Sequence, residues 1–116
     1  MNKYIIIIAV AALSLASFSP AQQVFLNLKV TVMNNLGKAE EGVRLRIYKT
    51  EEDFKSEKNV VQEHYTDTKG KFSFKDLEPR IYYISATKAE MDNYDGAVKT
   101  DTLKINAVNK ITIIIQ

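Results

Sequence analysis

Hydrophobic residues recur at every second position in several short runs of this chain, and this alternation limits the possible folds more than any other feature. The clearest run is VFLNLKVTVM, residues 24–33, in which one face carries only valine and leucine. A period of two residues is typical of a β-strand with one buried face. We therefore expect a half-buried strand whose inward residues are Val24, Leu26, Leu28, Val30 and Val32.

Similar but shorter runs follow along the chain, separated by residues that favour turns. The predicted strands cover residues 43–48, 60–66, 71–75, 81–87, 97–105 and 111–115. We expect Leu103 and Ile105 to be the core residues of the weakly alternating run 97–105. The closing ITIIIQ predicts a central, well-covered strand. Residues 50–59 are charged and begin with a capping candidate, Thr50, which predicts a loop or one to two helical turns.

These runs together predict about seven strands and no long amphipathic helix. Short strands at this spacing are typical of a sandwich of two sheets. The predicted fold class is therefore all-β, a seven-stranded antiparallel Greek-key-type β-sandwich.

The first 21 residues have the features of a secretory signal peptide. A basic residue, Lys3, precedes an apolar run that ends near Leu15, and small residues follow up to Ala21. The apolar run is shorter than the roughly 20 residues that a membrane-spanning helix needs. We expect cleavage after Ala21, which leaves 116 − 21 = 95 residues as one domain, 22–116.

Composition excludes several classes of function. The net charge of +2 falls to 15 − 14 = +1 when Lys3 is removed, and near-neutrality argues against nucleic acid or an anionic membrane as the main partner. The chain has no cysteine. It therefore has no disulfide, no cysteine metal ligand, no thiol nucleophile and no lipoprotein acylation site.

A hairpin signature lies in the middle of the chain, in TDTKGKFSFKDLEP at residues 66–79. Asp67 can accept hydrogen bonds from the backbone two residues further on, and Gly70 can supply a positive φ. Phe72 and Phe74 then alternate with lysine and serine, and Pro79 ends the strand because it has no N–H to donate. We expect a tight turn followed by a strand.

The order of three motifs resembles that of the carboxypeptidase regulatory-like modules. The motifs are GKAEEGV at residues 37–43, TDTKGKFSF at 66–74 and LEPRIY at 77–82. Those modules belong to the transthyretin-like (prealbumin-like) seven-stranded sandwiches, and the related collagen-adhesin B-type repeats of bacterial surface proteins have the same hairpin. The likeness covers about residues 24–115. Arg80 departs from it, because such modules commonly have glycine there, and we expect a stiffer or differently shaped turn.

The resemblance implies a fold and an exported bacterial setting, in which small sandwiches serve as stalks, accessory modules or binding domains. It implies no reaction. Collagen-adhesin B-type domains often carry a Lys-to-Asn isopeptide bond assisted by a buried carboxylate. Here the lysine would be Lys29 and the asparagine Asn106 or Asn109, but Ala86 stands where the assisting acid should be. We therefore expect no isopeptide bond.

Catalytic residues are not evident in the sequence. Transthyretin-like hydrolases need several converging histidines, and this chain has only His64, which we interpret as an outward polar residue. Ser73 and Ser85 lie within predicted strands without an evident base. We predict that the protein is not an enzyme and needs no cofactor.

One loop carries the candidate binding residues. Asp92, Asn93 and Asp95 before Gly96 have the composition of an oxygen-rich calcium loop, although their spacing does not fit the helix-flanked type. Residues that simply favour a turn are the preferred explanation, so we expect no metal site there. Cross-strand packing is the preferred interpretation of Tyr94 in the same loop, and a sugar-stacking or protein-contact surface is the alternative.

The sequence thus predicts a non-catalytic module that is secreted, periplasmic or at the cell surface and has a structural or protein-interaction role. Its expected partner is another envelope or surface protein, with no nucleic acid and no membrane insertion after signal cleavage. The alternative is a secreted carbohydrate- or calcium-binding domain. The sequence leaves the partner's identity, the oligomeric state, surface retention and the functional loops undecided.

Overall fold

The computed structural model describes residues 24–116, so the predicted signal peptide and its cleavage site lie outside the described residues. Two sheets form a sandwich, one with strand order β4-β1-β7 and the other with order β3-β2-β5-β6. The prediction of an all-β fold with two sheets is confirmed. The elements in chain order are β1 (Leu26–Asn34), β2 (Arg44–Tyr48), α1 (Glu51–Ser56), β3 (Gln62–Tyr65), β4 (Lys71–Leu77), β5 (Tyr83–Lys88), β6 (Met91–Asp92) and β7 (Asn109–Ile115).

The core lies between the two sheets and is built by the alternation that the sequence displays. On β1 the inward residues from Leu26 to Val32 are buried and the residues between them are more exposed. Val24, predicted to be inward, is instead 40% exposed because it precedes the strand. The core residues are Leu26, Leu28, Val30, Val32, Val43, Leu45, Ile47, Phe74, Leu77, Tyr82, Ile84, Ala86, Leu103, Ile113 and Ile115.

The expectation that all strands pair antiparallel is wrong for one pair. β1 and β7 are parallel, with Leu28 opposite Asn109 and Val30 opposite Ile111. β7 has only β1 as a neighbour in its sheet, so it is an edge strand and not the central strand that was predicted. Alternation fixes which face of a strand is buried, but no hairpin joins β1 to β7 to set their relative direction. The Greek-key arrangement stays a prediction.

The strand predicted over residues 97–105 is also absent from that described segment. Only an isolated antiparallel bridge joins Lys99 to Tyr83, and Leu103 is buried while Ile105 is 52% exposed. Ile105 is therefore not the core residue that was expected. The two-residue strand β6 lies instead inside the predicted loop 88–96, so the seven observed strands are not the seven that were predicted.

The charged segment after β2 forms α1, as the capping pattern indicates. The Thr50 side chain accepts a hydrogen bond from the backbone N–H of Asp53, and the three acidic residues of the first turn suit the positive end of the helix dipole. Glu57 ends the helix with a φ of 54°. This short helix packs against β2 and β5 of the four-stranded sheet.

The hairpin signature of residues 66–79 has a structural role. The Thr66 hydroxyl accepts from the N–H of Val43 and donates to the carbonyl of Glu40, which joins the turn to the β1–β2 connection. Asp67 accepts from the backbone N–H of residues 69 and 71. At Gly70, where φ is 72°, an added Cβ would lie 2.5 Å from the carbonyl oxygen of Val32.

The LEPRIY motif at residues 77–82 forms a turn that is held in place by side-chain hydrogen bonds. The buried Tyr82 directs its hydroxyl to accept a hydrogen bond from the N–H of Glu78 at 2.9 Å. Arg80, which replaces the expected glycine, donates from Nη2 to the carbonyl of Lys49 at 2.7 Å. The arginine therefore ties this turn to the end of β2.

Candidate functional site

The candidate calcium loop is organised around a buried asparagine. Asn93 is 1% exposed, and its side-chain oxygen accepts from the N–H of Ala86. Its side-chain nitrogen donates to the carbonyls of Ile84 and Ala97, each at 2.9 Å. These bonds occupy the amide and fix the loop against β5, so they give Asn93 a structural role.

The two carboxylates of that loop lie in different settings. Asp92 accepts a hydrogen bond from the N–H of Tyr94, the usual arrangement for aspartate in a turn, and Asp95 is exposed. Among residues 24–116, no three His, Cys, Asp or Glu side chains lie close enough to hold a metal ion. Calcium binding at Asp92, Asn93 and Asp95 is the less favoured alternative, and the buried amide of Asn93 does not support it.

Tyr94 belongs to an aromatic cluster under α1. Its ring meets Phe54 edge-on at 5.8 Å, and its hydroxyl lies 3.2 Å from the hydroxyl of Ser85. Phe54 also contacts Tyr48 and Tyr83, so its ring is the centre of the cluster. Tyr94 is nevertheless 46% exposed. The cluster thus anchors the helix to the sheet, and a role of Tyr94 in sugar binding stays a prediction.

His64 faces the interior and not the solvent, contrary to the expectation. It lies opposite the buried Leu45 and stacks on Phe72, with ring centroids 4.2 Å apart and an angle of 18° between the planes. Its Nε2 atom is 3.2 Å from the side-chain oxygen of Gln62. The ring therefore closes the edge of the core between β3 and β4, which gives His64 a packing role.

Exposed apolar side chains gather at one end of the sandwich, which we call the end patch: Val24, Phe25, Ile105 and Val108. Their exposed fractions are 40%, 56%, 52% and 72%. They line an open groove of about 370 Å³ between the start of β1 and the loop that precedes β7. Exposed apolar side chains that lie together mark contact surfaces more often than scattered ones do.

The parallel pairing of β1 and β7 determines at which end of the sandwich the end patch lies. Both strands begin at this end, and both finish at the opposite end, next to Gln116. The patch is not predicted from the sequence, in which Ile105 is expected to be a core residue. The signal that could have revealed it is the poor alternation of residues 97–108, which leaves Ile105 and Val108 outside any strand pattern.

The charged side chains of the four-stranded sheet are largely paired. Arg46 Nε lies 2.6 Å from Glu63 Oε1, and this hydrogen bond lowers the pKa of Glu63 and raises that of Arg46. Lys88 and Glu40 form a second pair at 2.9 Å, and the hydrogen bond from Lys88 lowers the pKa of Glu40. These pairs link neighbouring segments of the chain.

Within the described part of the chain, no helix is long and apolar enough to cross a membrane. Its single helix has six residues.

Comparison with solved structures finds a similar fold in several bacterial proteins, two of them pilins. A streptococcal ancillary pilin superposes with a TM-score of 0.60 at 17% identity, over 83% of this chain and 33% of the pilin. The Bacillus anthracis TIE protein gives 0.59 at 16% identity, over 80% of this chain and 16% of that one. A double mutant of the shaft pilin SpaA from Lactobacillus rhamnosus GG gives 0.51 at 15% identity, over 82% and 49%.

The chain thus spans less than half the length of these solved chains, and at such identities the likeness concerns the fold. No curated protein matches the sequence. The profile of the SpaA prealbumin-like fold domain family matches residues 27–116. This match supports a prealbumin-like sandwich, whereas the finer carboxypeptidase regulatory-like assignment stays a hypothesis. The chain belongs to the SpaA prealbumin-like fold domain family.

Proposed function

We propose that this protein is an exported, non-catalytic structural module of a bacterial surface assembly such as a pilus. In this role the end patch packs against a β-sandwich domain of another surface protein or of a neighbouring subunit. The observation that carries the proposal is the position of the exposed apolar residues at the end of the sandwich where β1 and β7 both begin.

The parallel β1–β7 pair suits a module that is joined to others in a row. β1 has nine residues, which at the usual rise per residue separates the two ends of the sandwich by roughly 30 Å. A neighbouring module that contacts one end of the sandwich would extend the row of modules and leave the outer faces of both sheets uncovered.

The composition of the end patch fits a protein partner. Phe25, Ile105 and Val108 offer apolar area with an aromatic ring, and protein interfaces are enriched in aromatic residues. The flanking turn at Glu78, Pro79 and Arg80 borders Val24 and Phe25 on the other side and supplies a polar rim. The names of the structural neighbours, which include ancillary and shaft pilins, are consistent with such a setting.

A photo-cross-linking amino acid placed at Val108 in producing cells tests this proposal. Leu36 is the matched control, because it is 78% exposed against 72% for Val108 and lies in the connection after β1, at the opposite end. We expect position 108, and not position 36, to capture one recurrent surface protein or a second copy of this chain. Equal capture at both positions, or no product at position 108, would refute the end patch as the contact.

Two substitutions distinguish the loss of a partner contact from a loss of folding stability. Phe25→Ser and Val108→Ser remove exposed apolar area only, so the thermal midpoint of the purified protein should stay within a few degrees of wild type. Incorporation into the cell-surface fraction should fall for both variants. If Phe25→Ser is incorporated normally while a Phe25→Ser protein with the cross-linker at position 108 loses its cross-link, the captured partner is not part of the assembly.

A further inference from the structure

The outer face of the three-stranded sheet carries four exposed lysines, and we call it the lysine face. Lys29 lies on β1, Lys71 and Lys75 lie on β4, and Lys110 lies on β7. The polar residues Asn27, Thr31, Ser73 and Thr112 share this face with the lysines. Asn27, Ser73 and Thr112 are exposed, and Thr31 is half-buried.

None of these four lysines has a carboxylate partner within residues 24–116. The ion pairs of the described chain involve other cations: Arg44, Arg46, Lys49, Lys55 and Lys88. Two acids lie near the ends of β4. Asp67 uses its carboxylate to accept from backbone N–H groups of its own turn, and Asp76 is exposed at the bulge.

Two of the lysines are direct neighbours across a strand pair. Lys29 and Lys110 occupy the same register position on β1 and β7, and Thr31 lies opposite Lys71 on the other side of β1. Like charges in directly opposed positions destabilise a sheet. The lysine face therefore concentrates positive charge, whereas a face with both positive and negative side chains would stabilise the fold more. The chain as a whole is almost neutral.

We infer that the lysine face binds a linear acidic polysaccharide. Ammonium groups pair with the carboxylate or sulfate groups of such a polymer, and the hydroxyls of Thr31, Ser73 and Thr112 can hydrogen-bond to sugar hydroxyls. Protein interfaces are depleted in lysine and enriched in aromatic residues, whereas the outward positions of β1, β4 and β7 carry lysine and no aromatic ring. Single-stranded nucleic acid stacks its bases on aromatic rings, and the outward positions of β1, β4 and β7 offer none.

Binding of the purified protein to alginate, a linear polyuronate, tests this inference. Neutral dextran is the uncharged control, and polyglutamate and double-stranded DNA represent the other classes of polyanion. We expect binding to alginate that weakens with added salt, no binding to dextran, and weaker binding to polyglutamate and DNA than to alginate.

Two triple variants locate the site. Lys29→Gln, Lys71→Gln and Lys110→Gln together remove three charges from the lysine face, and Lys38→Gln, Lys58→Gln and Lys99→Gln remove three exposed charges elsewhere. We expect a loss of affinity on the order of 100-fold at low salt for the first set, and a much smaller loss for the second.

Three results would overturn the inference: no binding to alginate at low salt, equal losses in the two triple variants, or tighter binding to polyglutamate or DNA than to alginate. The lysine face and the end patch adjoin, because Asn27 and Lys29 of the lysine face also line the groove beside Val24 and Phe25. Different residues test the two proposals: failure of the alginate experiment removes the lysine face as a binding site, whereas capture at position 108 tests the end patch.

Discussion

The side-chain oxygen of Asn93 accepts a hydrogen bond from the backbone N–H of Ala86, 3.0 Å away in the interior of the protein. This bond joins the loop after β6 to the middle of β5. Asn93, a calcium-ligand candidate in the sequence, therefore has a structural role. Its buried side-chain amide takes the place of a neighbouring strand beside this part of β5.

We predict that Asn93→Ala lowers the free energy of unfolding by roughly 1–3 kcal/mol, since the buried N–H of Ala86 loses its acceptor. Asn93→Asp should be at least as harmful, because a carboxylate would face the carbonyls of Ile84 and Ala97. Urea unfolding at pH 7 measures both. The neighbouring Asp95→Ala is the control and should change the free energy by no more than about 0.5 kcal/mol. Wild-type stability of Asn93→Ala would contradict the structural role.

Gly70→Ala should be strongly destabilising, because the new Cβ would lie 2.5 Å from the carbonyl oxygen of Val32 in addition to requiring a positive φ. Gly37 is a matched control, since its φ of 79° is similar and nothing lies within 4 Å of its added Cβ. We expect Gly37→Ala to cost about 1–2 kcal/mol from backbone strain and Gly70→Ala to cost clearly more. Equal losses in thermal unfolding would show that the turn can move away from β1.

The Lys88–Glu40 pair should make stability depend on pH in the acid range. The hydrogen bond from Lys88 lowers the pKa of Glu40 in the folded state, so this contribution is present above the unfolded pKa of about 4.3 and is lost as the pH falls through the lower folded pKa. Glu40→Gln should therefore flatten the decrease in the thermal midpoint below about pH 5. Glu41→Gln, at an exposed position, should keep the wild-type profile. An unchanged profile in Glu40→Gln would exclude this pair as a source of the acid sensitivity.

Lys110→Glu should stabilise the fold, because it converts the like-charged pair with Lys29 into an opposite-charged one on neighbouring strands. The expected gain is about 0.2–1 kcal/mol at low salt, measured by urea unfolding, and it should shrink at high ionic strength. Lys58→Glu makes the same charge change at an exposed site outside the sheets and should give little gain. A loss of stability in Lys110→Glu would mean that the two lysines do not repel each other.

Local patterns in the amino-acid sequence are enough to predict the all-β class, the inward residues of β1, the capped helix after Thr50 and the turn at Gly70. These features depend on interactions within a few residues or on a period of two, which a linear pattern records directly. The tertiary structure alone decided the parallel pairing of β1 with β7 and hence the position of β7 at an edge. It also decided the inward position of His64, the burial of Asn93 and the meeting of Phe25 with Val108 at one end. Each of these depends on which distant segments pack together, and alternation does not specify the partner or the direction of a strand.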